Sequence, residues 1–135
     1  MGNIKKFYEN TENALPHKNI QYFVNIHPAV GNAIELGCGV GRDTIFLLKN
    51  KWNVLAIDRE DTEANIVEKL NKEELSRFKF EKQEFESIKL IKNDLVLANF
   101  SIPFCNKDYF DVFWKEITNS ISKGRVFCWK FFWNK

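Results

Sequence analysis

An α/β fold built on a mostly parallel sheet of about five strands follows from three features of this 135-residue chain. Short apolar runs alternate with segments of helical periodicity from end to end. The run Leu95-Val96-Leu97-Ala98 is continuously apolar, as suits a parallel strand covered on both faces. A glycine-rich turn directly follows the first apolar run, at the place where a strand hands over to a helix in a doubly wound sheet. Right-handed crossovers are expected throughout. The length predicts one domain over residues 1–135 around a single core, with residues 1–30 as an N-terminal arm and helix.

In chain order, residues 1–15 are polar and mixed, and they lead into a helix near Pro16–Ile26. Pro16 suits an early helical position, and Ile20, Phe23 and Val24 supply an apolar stripe. Pro28 and Gly31 then break the chain. Ala33–Leu36 reads as the first strand, and residues 42–49 as the helix after the turn. Trp52–Ile57 reads as the second strand, ended by Asp58. Residues 60–74 are predicted as one helix with Ile66, Val67 and Leu70 on its apolar face. A third strand is expected near Phe78–Glu81 and a fourth at Leu95–Ala98, framed by Asp94 and Asn99. Residues 107–121 form a helical face of Phe110, Phe113, Trp114, Ile117 and Ile121. Gly124 is expected to reset the chain before a last, aromatic strand over Val126–Trp133.

Composition excludes several classes of function. The chain is 44% hydrophobic and 28% charged with only three prolines, which argues against disorder. Twenty basic against 18 acidic side chains leave +2, and lysine far outnumbers arginine, so no nucleic-acid partner is expected. No run of 18 apolar residues predicts a membrane span, and the start Met1–Lys6 does not read as a signal peptide. Gly2 lacks the Ser or Thr at position 6 that myristoylation wants. Cys38, Cys105 and Cys128 form no CxxC pair, and only His17 and His27 accompany them. No metal site is expected, and the compartment expected is the cytoplasm.

The sharpest local signal is Glu35-Leu36-Gly37-Cys38-Gly39-Val40-Gly41. Glycines there permit backbone dihedrals closed to other residues and let a ligand approach the main chain. The third glycine of a GxGxxG dinucleotide fingerprint would fall on Arg42, and no Gly-Lys-Ser/Thr follows for a phosphate-binding P-loop. Asp58, about twenty residues after Gly37, closes the second strand where a carboxylate accepts from ribose hydroxyls. Glu35 would repel a pyrophosphate and neutralise a cation. That favours a positively charged nucleoside, S-adenosylmethionine, over a dinucleotide.

The segment "ELGCGVGRD", Glu35 to Asp43, resembles motif I of class I, seven-strand, Rossmann-like S-adenosylmethionine-dependent methyltransferases. Asp58 in "VLAID" matches the second acidic position of that family, and Glu84-Phe85 in "KQEFES" its third motif. "DLVLANFSIPFC", Asp94 to Cys105, and the opening "FYENTENALPH" are similar to a narrower set, the bacterial tellurite-resistance-like small-molecule methyltransferases. The resemblance implies a three-layer sandwich and roles for individual residues. Glu35, Gly37, Cys38, Gly39 and Gly41 would face the methionine part of the cofactor, with Arg42 and Asp43 beginning the next helix beside that turn. Asp58 would take the ribose with Arg59 flanking the adenine, and Glu84 and Phe85 would cover the base. Asn99 would lie beside the sulfonium, as both a cofactor-binding and a catalytic residue. Tyr8, Thr11 and His17 would line the arm side, with Tyr8 and His17 as further catalytic candidates.

The resemblance also implies a small-molecule acceptor and S-adenosylhomocysteine as product. The scarcity of candidate bases favours a soft or pre-ionised nucleophile. Where the family has a glycine pair and further glycines, this chain has Gly124-Arg125, Trp129 and Trp133, and the last two strands and a helix of the resembled fold have no counterpart. Phe127, Trp129, Phe131 and Trp133 would then sit on an edge strand, which favours a homo-oligomer. Two readings follow: a methyltransferase acting on a small nucleophile, or a catalytically inactive cofactor-binding remnant or fragment that self-associates through that strand.

Overall fold

The computed structural model describes residues 16–26, 29–84, 88–99 and 110–130, and for Asn99, Phe110 and residues 122–130 the backbone alone. The first helix, α1, is Lys18–Ile26, followed by β1 at Asn32–Leu36, α2 at Arg42–Lys49 and β2 at Asn53–Asp58. Two short helices, α3 at Glu63–Val67 and α4 at Lys72–Leu75, precede β3 at Phe78–Lys82. Then come β4 at Asn93–Asn99, α5 at Phe110–Ser120 and β5 at Ile121–Lys130.

Among the described residues the four strand pairings are all parallel, in the order β3-β2-β1-β4-β5. The chain steps outward from β1 to β3, then crosses to the other side of β1 for β4. The crevice at the carboxyl ends of β1 and β4 is thus the topological switch point, where ligands approach open α/β sheets.

Period-two alternation along β1 sorts its side chains onto the two faces. Ile34 and Leu36 join Ile57, Val96, Ala98, Phe113 and Ile117 in a core on the α5 face. Ala33 joins Ile20, Phe23, Leu47, Leu48, Trp52, Val54, Leu95 and Leu97 beneath α1 and α2. Trp52 anchors this second layer, tilted against Phe23 with ring centroids 5.6 Å apart. Helices on one face, the sheet, and α5 on the other make the three layers.

The predicted bounds of α2 agree with the structure. Asp43 in its first turn and Lys49 in its last complement the helix dipole. Arg77 holds its far end, donating to the main-chain oxygens of Leu48 at 2.8 Å and Trp52 at 2.5 Å.

Two elements differ from expectation. The single helix expected over 60–74 is broken, because Asn71 starts a new helix with a capping box. Its side chain accepts from the Glu74 N–H at 2.8 Å, while the Glu74 carboxylate accepts from the Asn71 N–H at 3.0 Å. Asn71→Ala removes one half of this exchange and is expected to lower stability by about 1 kcal/mol, read as a fall in thermal midpoint; an unchanged midpoint would contradict the capping account.

β5 begins at Ile121 rather than Val126, and Gly124 lies inside it. The strand is irregular there: Asn93 pairs with Ile121, but Leu95 pairs with Val126. The flexible glycine is absorbed by that register shift instead of ending an element.

Candidate functional site

The sheet delivers the carboxyl ends of β1, β2 and β4 to one rim, and the turn Gly37–Gly41 crosses it. Gly37, Gly39 and Gly41 all take positive φ, at 73°, 54° and 85°. Their spacing of two therefore reflects a left-handed requirement at each position. At Gly41 there is no room either. A Cβ would lie 2.6 Å from Cγ1 of Ile66 on α3. Main-chain bonds from the Gly37 N–H to the Ile57 oxygen, at 2.7 Å, and from the Gly41 N–H to the Cys38 oxygen, at 2.9 Å, fix the turn.

Asp58 closes over this turn. One carboxylate oxygen accepts from the Gly39 N–H at 2.8 Å, the other from the Glu60 N–H at 2.9 Å. Burial pushes its pKa up from the usual carboxylate range, and those two main-chain donors offset part of the rise. Each oxygen retains capacity for a second donor.

Glu35 is buried below the turn at 4% exposure, with Asp43 at 2% and Asp58 at 5%. Thr44, from the first turn of α2, donates its hydroxyl to the Glu35 carboxyl. Burial holds the Glu35 pKa well above the carboxylate range, and the nearby Asp43 and Asp58 charges add to the rise. Cys38 is buried too, with Sγ 3.8 Å from the Thr62 hydroxyl. Burial first, then Glu35 and Asp58, push its thiol up, which disfavours the thiolate.

His17, just before α1, reaches the same corner. Its main-chain N–H donates to Asp43 Oδ1 at 2.9 Å, and ring Nδ1 meets Asp43 Oδ2 at 2.6 Å. The Arg42 guanidinium packs against the same ring, with Nη2 2.5 Å from Nε2 and 3.4 Å from Nδ1. His17 is thus pinned between two neighbours at 12% side-chain exposure, unlike a solvated histidine at a helix start.

Of the sequence-predicted residues, Glu35, Gly37, Cys38, Gly39, Gly41, Arg42, Asp58 and His17 converge. Arg59 follows Asp58 and is partly exposed. Glu84 is exposed; the segment before it is held at the rim by the Gln83 N–H, which donates to the Asp58 main-chain oxygen at 3.0 Å. Asn99 is the last residue of β4, and only its backbone is described. Tyr8, Thr11 and Phe85 lie outside the described residues.

Sequence reasoning missed Thr44 beneath Glu35 and Thr62 beside Cys38. It also missed Ile66 as the wall against Gly41. Thr44 carried a signal, since a hydroxyl in the first turn after a glycine loop faces back toward the preceding strand. Together these groups form a main-chain-lined turn above buried carboxyls. Such a site suits a small ligand that presents hydroxyls to Asp58 and positive charge to Glu35.

A family model described as a methyltransferase domain matches residues 33–124. No curated protein matches the chain by sequence. Among solved structures, TehB from Haemophilus influenzae superposes with a TM-score of 0.75 at 18% identity, over 90% of this chain and 42% of its own. The glycopeptide N-methyltransferase MtfA gives 0.69 at 18% identity, over 81% of this chain and 50% of its own. Coclaurine N-methyltransferase gives 0.67 at 16%, over 81% and 34%. The chain therefore spans half or less of the length of these three structures. MtfA has been solved with S-adenosyl-L-methionine, S-adenosyl-L-homocysteine and sinefungin. Among the described residues no helix is long and apolar enough to cross a membrane.

Proposed function

The chain belongs to the methyltransferase domain family, and from that premise we propose that it binds S-adenosyl-L-methionine on the Gly37–Gly41 turn and serves transfer of the methyl group to a small, soft or pre-ionised nucleophile. The observation that carries this reading is the stack of three left-handed glycines over buried Glu35, closed by Asp58. The MtfA complexes with the same cofactor class support it.

In the proposed complex the turn accommodates the methionine part of the cofactor along Gly37, Cys38, Gly39 and Gly41. Glu35 lies below and would give up its proton when the cation binds, facing it with negative charge. Asp58 accepts from the ribose hydroxyls through the capacity left on its two oxygens. Arg59, Glu84 and Phe85 flank the base. Arg42 stands beside the turn, and Asn99, at the end of β4, beside the sulfonium.

Methyl transfer is an in-line displacement. The acceptor's electron pair forms the new bond to carbon, the carbon–sulfur bond breaks, and its pair returns to sulfur, leaving S-adenosyl-L-homocysteine. The protein's task is alignment and exclusion of water. His17, whose ring meets Asp43 and Arg42, stands on the arm side of the site as a proposed catalytic residue. The scarcity of candidate bases favours an acceptor that needs no proton removed in the step.

Asp58→Ala is expected to weaken S-adenosyl-L-methionine binding more than tenfold, by losing a buried contact to the ribose worth about 1.5–3 kcal/mol. Calorimetric titration of both proteins checks it, and equal affinities would remove the ribose assignment. β5 lies at one edge of the described sheet, which keeps the second reading in play: a cofactor-binding protein that pairs with another copy along that strand. A strictly monomeric mass in solution would count against it.

A further inference from the structure

The sheet has a second concavity, on the rim opposite the glycine turn. A cleft of about 250 Å³ opens where β1, β2 and β4 begin, at Asn32, Asn53 and Asn93, with the turn into β3 at its side. Pockets for drug-sized ligands run to about 300–1,000 Å³, so this one suits a smaller molecule. Ile34 and Leu55 supply apolar lining.

The charge of the cleft is one-sided. Lys79, Lys92 and Arg77 line it, and no acidic side chain among the described residues does. Arg77 is committed to the fold, because its guanidinium donates to the Leu48 and Trp52 oxygens and pairs with Glu73. Lys92 donates to the Asn119 main-chain oxygen at 2.6 Å, which leaves two ammonium protons for other acceptors. Lys79 is exposed and has no ion pair or hydrogen bond among the described residues. The acid next in sequence to the cleft, Asp94, accepts from the Asn32 N–H at 2.9 Å.

The polar lining also holds an unmet acceptor. Asn93 is 2% exposed. Its Nδ2 meets the main-chain oxygens of Ile91 at 3.2 Å and Ser120 at 3.3 Å, and the Ser120 hydroxyl at 3.2 Å. Two carbonyl partners require a donor, which fixes the orientation of the amide. Its Oδ1 accepts from no group among the described residues, although buried acceptors in folded proteins nearly always have a donor. Asn32 and Asn53, by contrast, satisfy each other: they are register partners, and Asn53 Nδ2 donates to Asn32 Oδ1 at 3.0 Å.

We infer that this cleft is a second small-molecule site, for a small anion that also carries a hydroxyl. Lys79 and Lys92 hold the anionic group, and the hydroxyl donates to Asn93 Oδ1. Carboxylates and phosphate monoesters share that chemistry. The site goes beyond the cofactor reading, since neither the Gly37–Gly41 turn nor Glu35 nor Asp58 lines it.

NMR titrations of the nitrogen-labelled chain test this with propanoate, lactate, propyl phosphate and glycerol 3-phosphate, two anionic heads each with and without hydroxyl groups. Lactate or glycerol 3-phosphate is expected to shift the Asn93 side-chain amide and the Asn32 and Asn53 N–H signals saturably, about threefold or more tighter than its plain counterpart. The tighter pair identifies the anionic head. Lys79→Gln, an exposed substitution, should weaken binding about threefold, and added salt should weaken it too.

Equal affinities with and without the hydroxyl, no saturable shift at Asn93, or an unchanged dissociation constant in Lys79→Gln would overturn the inference. So would loss of the shifts on adding S-adenosyl-L-methionine, because the probe would then occupy the glycine turn. The two readings fail separately: a chain that binds no S-adenosyl-L-methionine is still expected to show these shifts.

Discussion

Gly41→Ala is expected to lower the stability of the folded chain by about 3 kcal/mol and to abolish cofactor binding in whatever fraction folds. Two independent costs add. A residue with a Cβ held at φ 85° is strained by about 1–2 kcal/mol. The new methyl would also meet Cγ1 and Cδ1 of Ile66 at 2.6 and 2.9 Å, inside a well-packed wall, where overpacking costs about 1–3 kcal/mol. Ile66 is fully buried and belongs to a cluster with Cys38 and Ala56, so relief would have to come from moving α3 away from the turn. A domain of this size has only about 5–15 kcal/mol to lose. Chemical denaturation of Gly41→Ala checks the size of the effect, and a loss below about 1 kcal/mol would show that the turn relaxes freely.

Glu35→Gln should move stability and function in opposite directions. The carboxyl is buried at 4% exposure near two other acids, and its pKa is held well above the carboxylate range by burial and by Asp43 and Asp58. An acid whose folded-state pKa is raised holds its proton more tightly when folded than when unfolded. Its favourable contribution is therefore complete below the unfolded-state value and is lost as pH rises through the folded-state value. Glutamine keeps the acceptor for the Thr44 hydroxyl and removes the ionisation. The variant is expected to be about 1–2 kcal/mol more stable than the wild type in neutral solution, with the advantage shrinking on acidification. Cofactor affinity should fall at least tenfold, since glutamine cannot give up a proton to face the cationic ligand with negative charge. Paired thermal melts and titrations across pH decide it. A destabilised variant that still binds normally would contradict the placement of Glu35 beneath the ligand.

The parts legible in the sequence are those whose causes are local. The strand, glycine turn and helix from Asn32 to Lys49 occupy consecutive residues, and the spacing of two between glycines is itself the trace of three left-handed positions. Asp58 was visible because it terminates an apolar run at a fixed distance from that turn. The split between α3 and α4 was legible in principle, since Asn71 stands three residues before Glu74 in the pattern of a capping box. Apolar periodicity through Ile66, Val67 and Leu70 masked it. The early start of β5 was not legible, because pairing with β4 pulls Ile121 into the sheet across an irregular register. Nor was the His17–Asp43–Arg42 cluster, whose partners are brought together only when α1 docks beside α2. Local pattern reveals the turn; the charges that govern what it holds are set by the tertiary fold.

The central claim is that the Gly37–Gly41 turn, Asp58 and buried Glu35 make a site for S-adenosyl-L-methionine. Calorimetric titration of the whole chain with that cofactor and with S-adenosyl-L-homocysteine tests it most directly. Saturable one-to-one binding of both, with dissociation constants well below millimolar, is the expected result. Dissociation constants above millimolar for both ligands would contradict it.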